Sequence, residues 1–173
     1  NSGAASDATE ALAYCTMMGA DLSSHSWSSG VFLQSFKDEL DAAEAANSAC
    51  VAAAGNGSKQ VGNGDTFPAT YTNDNVIAVM SLDHDGEKAD TSNWGTTAID
   101  IAAHGVDILS CVPDNGYQTK SGTSMATPQV AGAVALLRSV SGRRMPQEEI
   151  KEILLTSVDR GTGAEGRCLS DGR

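Results

Sequence analysis

The sequence predicts an α/β fold with a mostly parallel sheet flanked by helices. Segments with helical spacing alternate with short apolar runs, which is the order that builds a parallel sheet covered by helices. The runs Cys50–Ala54 and Val76–Met80 are apolar throughout, as expected for strands buried on both faces. A longer apolar segment, Thr123–Val140, is predicted to be a helix that lies against this sheet.

The amino-terminal third is predicted to contain two helices joined by an extended segment. The first helix opens at Ser6 or Asp7, either of which can cap it, and Gly19 ends it. Residues 20–27 then read as a strand, and residues 31–46 read as the second helix. The positions predicted to face the core from these helices are Leu12, Cys15, Met18, Phe32, Phe36, Leu40 and Ala43.

The remaining chain is predicted to supply strands and two more helices. The further strands are Val76–Met80, Ala98–Ala102, Asp107–Val112 and Tyr117–Lys120. Pro146, at a position favoured for proline, starts a helix over residues 147–157. Residues 161–173 have no clear pattern. Loops that follow parallel strands meet at one edge of a sheet, so Gly55-Asn56 and the start of the Thr123–Val140 helix are expected near a ligand site.

Composition excludes several classes of partner. The 173 residues suit one domain, and the net charge of −11 repels nucleic acid and anionic membranes. No apolar run is long enough to cross a bilayer, and the first residues do not form a signal peptide. Since no initiator Met is present, we expect the chain to begin inside a longer protein or after processing. The four cysteines form no CxxC pair; Cys50 is predicted to be a buried free thiol, and disulfide pairing stays open.

The segment Ser121–Gly132, SGTSMATPQVAG, suits a serine nucleophile at the start of a helix. Backbone N–H groups at a helix start lack intrahelical partners and favour the negative charge that develops in acyl transfer. Small neighbours of Ser124, such as Gly122 and Ala126, leave room for a substrate carbonyl. A serine that merely caps a core helix is the competing interpretation.

The complete motif resembles the active-site serine segment of the subtilisin-like serine peptidases, the subtilases. Other segments resemble the same family in the same order, and these are Gly19-Ala20-Asp21, Ser26-Trp27-Ser28, Val51–Asn56, Phe67–Tyr71, Val76–Val79 and Val106–Pro113. The resemblance covers roughly residues 5–157 and leaves 158–173 as an unassigned tail. It implies that residues 1–173 are a partial subtilase catalytic domain, subtilisin-like in fold, that lacks the amino-terminal strands.

The resemblance implies that Ser124 is the nucleophile and that Asn56 donates a hydrogen bond to the oxyanion. Two other interpretations of Asn56 remain, because Asn-Gly commonly forms a turn and Asn56-Gly57-Ser58 is a glycosylation sequon. A glycan at Asn56 would block an oxyanion hole, so these two roles exclude each other. The match of the preceding strand favours the oxyanion role.

The resemblance also implies a surface for extended peptides. Substrate would pair with the main chain of residues 26–28, while small side chains leave room for a bulky substrate residue. The residues implied to contact substrate are Ser26, Trp27, Ser28, Ala53, Ala54, Gly55 and Thr123. An ordinary packed aromatic is an almost equally good interpretation of Trp27.

Some positions depart from the family pattern, and others correspond to a cation site or a cis proline of the family. Gln129 stands where the family usually has a histidine, and His104 stands where it has a proline. Ala69 and Tyr71 correspond to carbonyl contributors of a cation site in some members, and Pro68 corresponds to a cis proline. The resemblance requires no cofactor and leaves a structural calcium ion open.

The Asp and His of the family's catalytic triad have no counterpart in this sequence. Asp65 and Asp90 lack the glycine that follows the family's aspartate, and both lie after the substrate segment. The three histidines, at 25, 84 and 104, are expected to be packing or surface residues because none starts a helix. Although His84 lies between two aspartates, adjacent residues converge poorly on one metal ion.

Three hypotheses follow for the function. The chain is a serine endopeptidase whose Asp and His lie upstream; or it is a non-catalytic peptide-binding module or inactive fragment; or it is another serine acyl hydrolase. The absence of a Gly-x-Ser-x-Gly motif disfavours the third. The expected partners are extended peptides, together with the chain's own missing amino-terminal segment. Family resemblance implies secretion.

Overall fold

A four-stranded parallel sheet lies at the centre of the computed structural model, which describes residues 3–142 and 145–173. Its strands are adjacent in chain order: β1 (Leu22–His25), β2 (Ala49–Ala53), β3 (Val76–Leu82) and β4 (Ile101–His104). The helices are α1 (Ala5–Met17), α2 (Gln34–Ala45), α3 (Thr123–Val140) and α4 (Gln147–Thr156). An antiparallel hairpin, β5 (Ile108–Val112) and β6 (Gly116–Lys120), precedes α3. The predicted α/β fold is therefore confirmed.

Alternation along the strands divides the core between the two faces of the sheet. On one face, Val51, Val79 and Ile101 pack with residues of α3 such as Val130 and Val134. The opposite face packs against α1 and α2, where the buried side chains are Leu12, Phe36, Leu40, Ala43, Cys50 and Val76. Helices thus cover both faces, which explains why every residue of β2 and β3 is buried.

The two edges of the sheet differ. In the described residues, β1 pairs only with β2, so its outer edge carries no neighbouring strand. The outer edge of β4 is covered by the carboxyl-terminal residues, which run parallel to it. The Leu169 N–H donates to Ile99 O at 2.8 Å, and the Ala102 N–H donates to Gly172 O at 3.1 Å. The tail, which has no clear sequence pattern, therefore closes one edge of the sheet.

The predicted start of α1 is wrong. Ala4 is its N-cap and makes no side-chain capping bond, so Ser6 and Asp7 lie within the first turn. Asp7 still places negative charge near the positive end of the helix, which is favourable without a capping bond. Gly19 follows the helix with a φ of 75°, as a terminating glycine should. Met18 lies beyond the last helical residue and is 63% exposed, so its predicted burial is wrong.

Two other predicted boundaries shift for local reasons. Helix α2 starts at Gln34, which leaves Phe32 in the preceding loop, half exposed and in contact with the rings of Phe67 and Tyr71. Strand β4 starts at Ile101 and not at residue 98. The side chain of Asp100 accepts the Ala78 N–H at 2.7 Å, which replaces a backbone ladder bond at that point.

All four cysteines are free, and Cys50 is fully buried as predicted. Burial raises the pKa of the Cys50 thiol to about 12, so this side chain acts as a small apolar group. None of the helices in the described parts of the chain combines the length and the apolar character that a membrane crossing requires.

His25 is a buried histidine on the α2 face of the sheet. Its ring contacts Trp27 and Phe36 edge-on, and Nε2 lies 2.8 Å from Ser23 Oγ. Burial lowers the pKa of His25 from 6.5 to about 4. Since the folded-state pKa lies below the unfolded value, the unfolded chain binds more protons between these two pH values. The free energy of unfolding therefore falls as the pH drops through this window.

We expect His25→Gln to flatten the acid dependence of stability in the purified native protein. Between pH 6.5 and 4, the wild type should lose roughly 3 kcal/mol more unfolding free energy than the variant. Urea denaturation at half-unit pH steps measures the difference, with His84→Gln, an exposed site, as the control. Parallel pH profiles for the wild type and His25→Gln would contradict this account of His25.

Candidate active site

Ser124 is the second residue of α3, at the end of the sheet where β1 and β2 finish. Its backbone N–H is one of the first-turn donors that no helix carbonyl can accept. Gly122, the residue before the first residue of α3, has a φ of 143°, and a Cβ there would lie 3.2 Å from Asn56 Nδ2. Glycine is therefore required for α3 to begin this close to the loop after β2.

Asn56 is tied to the start of α3 by its side-chain oxygen. The Thr123 N–H donates to Asn56 Oδ1 at 2.9 Å, and the Thr123 hydroxyl donates to the same oxygen at 3.2 Å. Because both partners are donors, the amide must present its oxygen to Thr123 and its NH₂ to the other side. The NH₂ of exposed Asn56 and the Ser124 N–H are thus two donors at the positive end of one helix.

Ser26 and Ser124 form a reciprocal pair of hydrogen bonds. The Ser26 hydroxyl donates to Ser124 O at 2.8 Å, and the Ser124 hydroxyl donates to Ser26 O at 3.1 Å. A backbone carbonyl is too weak a base to remove a serine proton. In this arrangement the Ser124 hydroxyl is positioned by the segment after β1 but is not activated.

The remaining residues implied to contact substrate differ in accessibility. Trp27 packs edge-on against Phe36 at 5.4 Å between ring centroids, as the packed-aromatic interpretation expects. Ser28 is exposed, and its Oγ would lie 3.5 Å from a Cβ placed on Gly55, so the two segments face each other. Ala53 and Ala54 are 2% and 0% exposed, which leaves little of either side chain for a ligand.

Thr123 is also fully buried, and its hydroxyl oxygen accepts the Gly55 N–H at 3.2 Å. It therefore links the start of α3 to the loop that carries Asn56.

All three histidines lie away from Ser124. His25 is buried on the face of the sheet opposite α3. His104 ends β4, three strands from β1, where Nδ1 donates to Asp83 O at 2.7 Å and Nε2 accepts from Arg173 at 2.6 Å. His84 is exposed in the loop after β3. None of them is placed to take the proton of Ser124.

The family's cation site fits this chain poorly. Ala69 and Tyr71 line a polar cavity together with Asp100, but the Lys151 ammonium also enters this cavity. Lys151 Nζ lies 3.1 Å from Asp100 Oδ1 and donates to Val76 O at 2.6 Å. Burial raises the pKa of the Asp100 carboxyl, and Lys151 opposes that shift. The ammonium already supplies positive charge beside Asp100, and this charge opposes the entry of a calcium ion into the cavity.

No cluster of three or more His, Cys, Asp or Glu side chains in residues 3–142 and 145–173 could hold a metal ion. The cis peptide bond of the family proline is present at Phe67-Pro68.

Gln129 and Asn93 are polar residues whose roles at this end of the sheet were not predicted. Gln129 Nε2 donates to His104 O at 2.7 Å and so connects α3 to the end of β4. Asn93 is 2% exposed and contacts the loop on both sides of Asn56. No local pattern marks Asn93, because its partners lie more than 30 positions away in the sequence.

A model of the subtilase family matches residues 1–170 of this chain. The chain is 38% identical over 165 residues to a thermophilic serine proteinase of Bacillus sp. (strain AK1), an alignment that covers 94% of this chain and 39% of that relative. The chain thus spans well under two thirds of the length of this curated relative.

Solved structures agree with the fold. The prenylagaramide maturation protease PagA matches with a TM-score of 0.82 and 30% identity, over 92% of this chain and 59% of that chain. A cold adapted subtilisin-like serine proteinase matches with a TM-score of 0.85 and 24% identity, over 97% of this chain and 62% of that chain, which supports the fold alone.

Proposed function

This chain belongs to the subtilase family, and from that premise we propose that residues 1–173 are the carboxyl-terminal part of a serine endopeptidase domain. The Asp and His of the triad are supplied by an upstream segment. The observation that carries this proposal is the bond from the Thr123 N–H to Asn56 Oδ1, which brings an amide NH₂ to the helix start that holds Ser124.

In the proposed reaction, Ser124 Oγ attacks the carbonyl carbon of a peptide bond. The serine proton passes to the upstream histidine and then to the leaving amine as the carbon–nitrogen bond breaks. The oxyanion receives hydrogen bonds from Asn56 Nδ2 and the Ser124 N–H. Water then hydrolyses the acyl-enzyme and restores the Ser124 hydroxyl.

The proposed substrate is an extended peptide that pairs with the main chain of residues 26–28. Support comes from the reciprocal hydrogen bonds between Ser26 and Ser124, which place this exposed segment directly beside the proposed nucleophile. Main-chain hydrogen bonds recognise the peptide backbone and depend little on its side chains, so broad substrate specificity is expected. The net charge of −11 disfavours nucleic acid and anionic membranes as partners, and we propose secretion as the location of the protein.

A second candidate is a non-catalytic peptide-binding module. The bond from the Ser124 hydroxyl to Ser26 O favours it, because Ser124 has a carbonyl and not a base as its acceptor. Covalent labelling of Ser124 separates the two functions, since a binding module has no activated serine.

The native protein should react with a fluorophosphonate probe at Ser124. Peptide mapping should find the adduct on this residue, Ser124→Ala should abolish it, and protein sequencing should find the Asp and His motifs before Asn1. The isolated 173-residue chain should label more than about ten-thousandfold more slowly, since loss of a triad member in subtilisin lowers kcat by roughly 3 × 10⁴ to 2 × 10⁶. If the mature chain starts at Asn1 and has no partner fragment, the proposed endopeptidase function is refuted for this molecule.

Asn56→Ala should lower kcat of the native protein on a peptide substrate and leave KM nearly unchanged. The expected loss is roughly 10²–10³ in kcat, the magnitude measured for the corresponding asparagine donor in subtilisin. Steady-state kinetics on short chromogenic peptides measure it, and deglycosylation with mass analysis excludes a glycan at Asn56. A rise in KM alone would instead indicate a ground-state binding role.

The upstream segment is also proposed to complete the fold. A strand from it would pair with the open edge of β1. It would also cover apolar side chains on α3 such as Leu136 and Val140, which are 67% and 76% exposed.

We therefore expect the isolated 173-residue chain to be marginally stable or to aggregate. Size-exclusion chromatography with a thermal scan measures this, and the native protein is the control. A sharp, reversible transition of an isolated monomer would count against a missing segment.

A further inference from the structure

The backbone around Asn56 cannot hold itself in place. Asn56 lies between Gly55 and Gly57, and glycine is the residue with the most conformational freedom. The side chain of Asn56 is exposed, and within residues 3–142 and 145–173 it is held only by its hydrogen bonds with Thr123. An oxyanion donor must be held in position before the reaction, so the Gly-Asn-Gly segment requires support from elsewhere.

That support comes from Asn93. Its backbone N–H donates to Gly55 O at 2.9 Å, and its side-chain Oδ1 accepts the Gly57 N–H at 2.9 Å. These two bonds hold the two peptide groups that flank the Asn56 Cα. The direction of the Asn56 side chain follows from the orientation of those peptide groups.

Further bonds extend this anchor to both sides. Asn93 Nδ2 donates to Ala54 O at 2.8 Å, and Oδ1 also accepts the Lys59 N–H at 3.3 Å. The partners settle the orientation of the Asn93 amide, since Ala54 offers an acceptor and the other two offer donors. Gly55 permits the approach, because a Cβ there would lie 2.7 Å from Asn93 Nδ2.

Asn93 is itself held by the sheet. The adjacent Ser92 is fully buried; its hydroxyl accepts the Ser81 N–H from β3 and donates to Asn93 O, both at 2.9 Å. Lys88 Nζ donates to the carbonyls of Ala89 and Asp90 and so fixes the turn before Ser92. A continuous series of hydrogen bonds thus runs from a central strand to the residues around Asn56.

We propose that Asn93 is a positioning residue that holds the Asn56 amide at its place beside Ser124. The expected effect of Asn93 on catalysis rests on the proposed function, whereas its role in holding the Asn56 segment does not. It predicts that removal of the Asn93 side chain frees the Gly-Asn-Gly segment and weakens the bond from the Thr123 N–H to Asn56.

Amide hydrogen exchange in the native protein tests the positioning directly. Asn93→Ala should raise the exchange rates of the Gly57 and Thr123 amides by about tenfold or more. The Gly57 amide loses its acceptor, Asn93 Oδ1, and the Thr123 amide keeps an acceptor, Asn56 Oδ1, that is no longer held in place. The matched control is Asn75→Ala: Asn75 is 1% exposed and donates to Leu40 O and Ser48 O, away from the site. An unchanged Thr123 exchange rate in Asn93→Ala overturns the proposal.

Kinetics test whether Asn93 acts through Asn56. Asn93→Ala should lower kcat roughly tenfold to a hundredfold, with KM changed by less than about twofold. In an Asn56→Ala background, the same substitution should lower kcat by less than about twofold, because the group that it positions is absent. Equal losses in both backgrounds overturn the proposal, as does an equal loss in Asn75→Ala.

A second variant covers the case in which Asn93→Ala fails to fold. Asn93→Asp keeps an acceptor for the Gly57 and Lys59 amides and loses the donor to Ala54, so its kcat should lie between those of the wild type and Asn56→Ala. A kcat equal to that of the wild type overturns the proposal. If the wild type is as inactive as Ser124→Ala while Thr123 exchange rises in the Asn93 variants and not in Asn75→Ala, the proposed function fails and the positioning role stands.

Discussion

The hydrogen bond from the Thr123 N–H to Asn56 Oδ1 is the contact on which the geometry of the candidate site depends. A helix start has N–H groups that need acceptors, and an asparagine side chain has an acceptor and a donor group that point in opposite directions. Satisfying Thr123 with the oxygen therefore leaves the NH₂ directed away from Thr123 and available to another acceptor. One bond both completes the start of α3 and orients the candidate oxyanion donor.

This bond forms only because α3 approaches the sheet closely. The Gly122 N–H donates to Gly105 O at 2.7 Å, and a Cβ on Gly105 would lie 2.5 Å from the Cβ of Ser81 and 2.7 Å from Gly122 O. Ala126, one turn later, is fully buried. Glycine and alanine at these positions let the helix start lie against the strand ends, so Ser124 and the loop after β2 share one rigid support.

The sequence alone predicted best the elements that depend on local apolar patterns, although the local capping pattern misplaced the start of α1. The buried strands β2 and β3 and the limits of α3 follow from apolar runs and from the Gly-Thr-Ser motif. Element ends such as the start of α2, which leaves Phe32 outside, depend on tertiary packing and could not be predicted. The tail along β4 and the role of Asn93 depend on partners far away in the sequence, which no local pattern reveals.

The described residues supply one part of the proposed chemistry, the hydrogen-bond donors, and place no histidine base beside Ser124. Electrostatic stabilisation requires rigid donors, and the donors at Asn56 and Ser124 are fixed by α3, by Asn93 and by the sheet. Proton transfer requires a base, and each histidine of the chain lies away from Ser124, with His104 held by two hydrogen bonds. An incoming base would compete with Ser26 O for the Ser124 hydroxyl, and that bond contributes only about 1 kcal/mol net. Under the proposed function, assembly with an upstream segment would therefore activate Ser124 by a rotation of its hydroxyl, while the proposed oxyanion donors would stay where they are.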